Sequence, residues 1–135
     1  EVHLIRSRAD SEKITINLGF IDLGRIDLLV GDGFYSNRTD FIRTAIRNQL
    51  ERHRDAADKA VARKQLDLGL SHFSREQLEA VRDAGETLDI KVLGLATIAT
   101  DVSPELARAA IGSLTVLGAL HASTEVKSAL ADRIN

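Results

Sequence analysis

The chain contains no cysteine. That removes disulfides and thiolate metal sites from consideration and fits a cytoplasmic protein. No apolar run reaches the length a bilayer needs, and the N-terminus lacks the apolar segment of a signal peptide. Opening on Glu1 rather than methionine, the sequence reads as starting inside a longer chain. Catalytic patterns are scarce as well. The histidines His3, His53, His72 and His121 are scattered, and none stands in a recognisable motif beside a nucleophile. His72 and His121 alone are placed to meet near strand ends. Gly31-Asp32-Gly33 is too short to cradle a phosphate and reads as a helix stop. No catalytic residue, cofactor or metal site is expected, and so no enzyme.

What is present is a globular composition: 44% hydrophobic and 28% charged over 135 residues, enough for one ordinary domain or two very small ones. Net charge is only −2, but it is unevenly spread. Residues 1–65 sum to +2 and residues 66–135 to −4, while Ser36 to Arg54 hold five arginines against two acids. A basic face on a mildly acidic whole is compatible with DNA, because binding follows the local field. Taken alone, those arginines would read as the solvated face of a helix.

The stretch KITINLGFIDLGRIDLLVGDGFYSNRTDFIRTAIRNQL, from Lys13 to Leu50, organises the first half. Ile14, Ile16 and Leu18 alternate with Lys13, Thr15 and Asn17, the period of a half-buried strand. So short a strand cannot stand alone in water, and no second strand follows it. Its partner must come from far along the chain or from another copy. Ile21, Leu23, Ile26, Leu29 and Val30 then recur at helical spacing. Gly33 suits a left-handed helix end, with Phe34 as the apolar contact after it. Ser36 or Asn37 caps a second helix with Asp40 in its first turn, and Phe41, Ile42, Ala45, Ile46 and Leu50 form its apolar stripe.

Strand, helix, glycine turn and helix in this order, with GFYSNRTDFIRTAIRNQL above all, resemble the ribbon-helix-helix DNA-binding fold of the MetJ, Arc and CopG type. The resemblance covers residues 13–53. GFIDLG at the first helix start departs from the plainer capping segment usual in that family. The resemblance implies an antiparallel ribbon formed by two subunits and seated in the major groove. Lys13, Thr15 and Asn17 would then contact base edges, for which their donors and acceptors suit. Backbone amides around Ser36, Asn37 and Arg38 would hold a phosphate at the second helix start. Ile14, Ile16, Leu18, Ile26, Phe34, Phe41, Ile42 and Ile46 would fill the shared dimer core.

On either side the reading is simpler. Residues 1–12 form a flexible arm, within reach of phosphates or free of contacts. Residues 54–65 lack Gly and Pro and are rich in helix formers, so the second helix should run on as a connector. Residues 66–135 repeat with an offset of 24: Val92-Leu93-Gly94 returns as Val116-Leu117-Gly118, and Thr100-Asp101-Val102 as Thr124-Glu125-Val126. Leu66-Asp67-Leu68-Gly69-Leu70 looks like a diverged third copy. Ser74, Ser103 with Pro104, and Thr124 sit where helix caps belong. Strand-helix units of this length stack in parallel layers. The alternative is an ordinary small α+β domain in which the repeat has no binding role.

The expected whole is an α+β chain: an N-terminal ribbon-helix-helix forming an intertwined dimer, then a strand-helix repeat with short parallel strands. The expected function is a transcriptional regulator, a repressor, binding operator DNA with paired half-sites as a homodimer. Residues 66–135 would serve oligomerisation, joining dimers into tetramers. An antitoxin whose second half binds a toxin, or a plasmid partition or relaxosome accessory protein, are the alternatives.

Overall fold

The structure, a computed structural model, describes residues 11–135. The arm expected over residues 1–12 therefore lies, but for Ser11 and Glu12, outside the described residues. In order come α1 (Phe20–Gly31), α2 (Arg38–Arg52), α3 (Arg54–Lys64), β1 (Asp67–Phe73) and α4 (Arg75–Asp83). Then follow β2 (Leu88–Ile98), α5 (Pro104–Ala110), β3 (Ile111–His121), α6 (Thr124–Ala129) and a 3₁₀ turn, Ala131–Arg133. Among the described residues no helix is long and apolar enough to cross a membrane. The chain divides into two compact units, Glu1–Asp58 and Lys59–Asn135.

In the first unit the helices form where expected, and their ends show why. The α1 terminus is closed by a left-handed Gly33, φ 87°, with Gly33 N–H donating to Val30 O and Phe34 N–H to Leu29 O. That pair of bonds satisfies carbonyls the helix leaves orphaned. Asn37, and not Ser36, caps α2, its side chain accepting from Asp40 N–H at 2.8 Å. The expected strand over Lys13–Leu18 differs: these residues belong to no strand of the single chain. A strand exists through its ladder, and the only sheet among the described residues is built wholly from β1, β2 and β3. The connector is helical but interrupted. At His53 α2 ends and α3 begins, with His53 N–H shared between Gln49 and Leu50 carbonyls.

The second unit is a three-stranded, all-parallel sheet in the order β1-β2-β3. The sequence repeat is its register. Val92 pairs with Val116, Leu93 with Leu117 and Gly94 with Gly118, while Gly69 pairs with Gly94. Each strand is followed by a short helix whose start is capped by a serine: Ser74, Ser103 and Ser123 accept from the N–H three residues on. The third cap is thus Ser123, one residue before the Thr124 expected, because Thr124 already has helical geometry. Leu78 of α4, Leu106 and Ala107 of α5, and Val126 of α6 pack with Ile90, Val92, Ala96, Ile98 and Leu114 in one buried cluster. The C-terminus closes part of the β3 edge: Ile134 bridges Leu114, and Asn135 N–H donates to Leu114 O at 2.9 Å. Arg133 reinforces it by donating to Ile111 O at 2.7 Å.

The glycines of the repeat sit in one row across the sheet with φ of 115° (Gly69), 138° (Gly94) and 120° (Gly118). That backbone region is closed to side-chain-bearing residues without strain.

Candidate nucleic-acid interface

In the N-terminal unit the two helices meet at one end through a salt bridge. Arg38 donates from Nε to Asp27 Oδ1 and from Nη2 to Asp27 Oδ2, both at 2.8 Å. This fork-on-fork geometry is the strongest form of such a pair, though both side chains are about half exposed, which limits its worth. The hydrogen bond from Arg38 holds the Asp27 carboxyl below the usual carboxylate range, against an upward pull from desolvation that outweighs the smaller contribution of the Arg38 charge. Asp27 drives the Arg38 guanidinium still higher, first by the same hydrogen bond. A lowered carboxyl pKa contributes stability above the unfolded carboxylate's range and loses it as pH falls through the folded value. Asp27→Asn should therefore lower the melting temperature at neutral pH, and the gap to the parent should close in acid. Thermal unfolding of both proteins across a pH series checks this; a pH-independent gap would assign the effect to something other than the ion pair.

The start of α2 carries a second network. Asp40 accepts from Ser36 N–H at 2.9 Å through Oδ2, while its own N–H donates to Asn37 Oδ1. The N–H groups of Arg38 and Thr39, in the first turn, have no carbonyl to meet within their helix. Ser36, Asn37 and Arg38, expected from the sequence to hold a phosphate, are thus gathered at one helix N-terminus and all are exposed. The Ser36 amide is already bonded and the Arg38 side chain is turned to Asp27. Lys13, Thr15 and Asn17 are exposed as well. Tyr35 stacks edge-on against Phe41 with ring centroids 5.0 Å apart.

Between α1, α2 and the segment before them lies an apolar cleft of about 510 Å³. Ile16, Leu18, Ile26, Phe41, Ile42 and Ile46 line it, together with Leu29 and Ala45. Six of the eight residues expected in a dimer core thus face one cleft; Ile14 and Phe34 do not line it and are exposed at 73% and 68%. Among residues 11–58 only Ile26 is buried. The pairing of Asp27 is not legible in the sequence. Its bond to Arg38 spans the glycine turn, and helical periodicity carries no signal across a turn.

In the other unit His72 and His121 both pair in register with Thr97, on its two sides. His72 Nδ1 lies 2.5 Å from Thr97 Oγ1. The row opens into a cleft of about 730 Å³ that also meets Lys127. No group of three or more potential metal-ligating side chains occurs among the described residues.

Comparison with curated proteins and with solved structures yields no match. A family model does match, that of the ribbon-helix-helix transcriptional regulator family, and it spans residues 9–127. That span takes in the exposed segment before α1, both helices of the cleft, and the three strands of the parallel sheet with nearly all of their helices. The chain belongs to the ribbon-helix-helix transcriptional regulator family.

Proposed function

We propose that the protein is a sequence-specific DNA-binding regulator that acts as a homodimer and represses by occupying its operator. One observation carries this reading: the N-terminal unit has two helices but almost no core, and an open apolar cleft in its place. Two helices this exposed gain too little from burial to offset the ordering of their chain. A second copy supplies what is missing. Residues 13–18 of the two copies pair antiparallel, which satisfies their backbone groups and turns Ile14, Ile16 and Leu18 into the shared core with Ile26, Phe34, Phe41, Ile42 and Ile46. The opposite face then presents Lys13, Thr15 and Asn17 to the major groove. The α2 N-terminus, at Asn37 and Arg38 beside Ser36, supplies free amides and a positive dipole end for a phosphate.

Asn17 offers a bidentate match to adenine, so Asn17→Ala should cost about 1–3 kcal/mol on the operator and little on random DNA. Fluorescence titrations against both DNAs measure it. An equal loss on both would remove Asn17 from base readout. The antitoxin reading calls for a short charged tail that folds on its toxin; the second half here has a buried core of its own.

A further inference from the structure

Parallel sheets normally carry cover on both faces. In this sheet α4, α5 and α6 pack into the core on one side only. The opposite side bears two in-register apolar rows, Leu68-Leu93-Leu117 and Leu70-Leu95-Ala119. None of the six belongs to the buried cluster or to the residues packed against it. Leu68, Leu70 and Leu117 are 69%, 70% and 45% exposed. Scattered single leucines on a surface mean little, but a continuous patch bounded by polar rows marks an interaction surface. Those bounds are the Asp89 and Lys91 positions at one end and the His72-Thr97-His121 row at the other.

We infer that this leucine face docks against the same face of a second copy of the chain. Charge argues for a copy. Residues 66–135 hold ten acids against six bases, yet by register only Asp89 stands on this face, with Lys91 3.6 Å from it. Two acidic halves therefore meet through a neutral surface. Area argues the same way. The three strands lie side by side only over the seven residues of β1. At ~3.3 Å per residue and strand spacings of ~4.8 Å, the shared face covers roughly 330 Å². Two such faces bury about 650 Å², short of what a free-standing specific interface needs. A foreign partner would be held weakly by so small a patch. Copies already joined through their N-terminal units meet at high effective concentration, which makes a small patch sufficient. In this respect the inference rests on the dimer proposed above.

The absence of cysteine makes the test direct, since one introduced thiol is the only one in the chain. Leu117→Cys and Leu70→Cys place it on the leucine face, and Ala109→Cys on the exposed side of α5 serves as the comparison. A short bismaleimide should join the leucine-face variants into covalent dimers about tenfold faster than Ala109→Cys, and adding Leu68→Glu should remove the difference. Light scattering on the same samples separates the two interfaces. Equal rates at dimer mass overturn the face-to-face docking and leave the N-terminal dimer standing. A monomer mass overturns the dimer, and this inference with it.

Discussion

Ile16→Asp should abolish both dimer formation and DNA binding, although Ile16 is 54% exposed in the single chain. The exposure is what gives the experiment its force. On a monomer, a charge at a half-exposed position changes stability by no more than about 0.5 kcal/mol. In the shared core each copy would bury an unpaired carboxylate, a loss on the order of 3–5 kcal/mol apiece. Such a dimer has no stable folded half, so its unfolding midpoint should also rise with protein concentration in the parent protein. The measurements are light scattering, thermal unfolding at several concentrations, and operator titration. A variant that melts like the parent and binds operator would place Ile16 on a free surface and end the ribbon reading.

Gly118→Ala should destabilise the second unit by at least about 3 kcal/mol, a large effect for one methyl group. An added Cβ at Gly118 would lie 2.1 Å from Gly94 O, and one at Gly94 would lie 2.2 Å from Gly69 O. The atoms struck are backbone of the neighbouring strand, which cannot swing aside as a side chain would. Gly69 separates the two causes. Its φ of 115° is as strained for alanine, but nothing stands within 4 Å of its would-be Cβ. Gly69→Ala should therefore cost only the backbone term, about 1–2 kcal/mol. Urea unfolding of the three proteins decides it. Equal losses for Gly69→Ala and Gly118→Ala would mean that close approach between strands contributes nothing.

The parts of the fold legible in the residues are those with local causes. Gly33 ending α1, asparagine and serine caps, and the apolar stripe of α2 each reflect forces acting within one turn of helix. The repeat was legible as well, because stacked units must place equivalent residues side by side; its offset of 24 is the register of β2 on β3. Sequence is ambiguous where two neighbours compete for one role. Thr124 and Ser123 both suit a cap, and only the backbone geometry of the folded chain selects between them.

Alternation and helical spacing thus determined which residues would be apolar-faced, which helices would form and where they would stop. They determined too that Lys13–Leu18, read as a strand, needed a partner from far along the chain or from another copy. Only the tertiary structure decided where apolar faces remain open. Hydrophobic pattern states that a residue seeks cover, but not whether cover exists within the same chain. Burial is a property of all surrounding elements at once, so the cleft around Ile16 and Ile26 and the bare leucine rows of the sheet emerge only in three dimensions. The Asp27–Arg38 bridge belongs with them, for its partners are brought together by the turn between two helices and not by any periodicity within one.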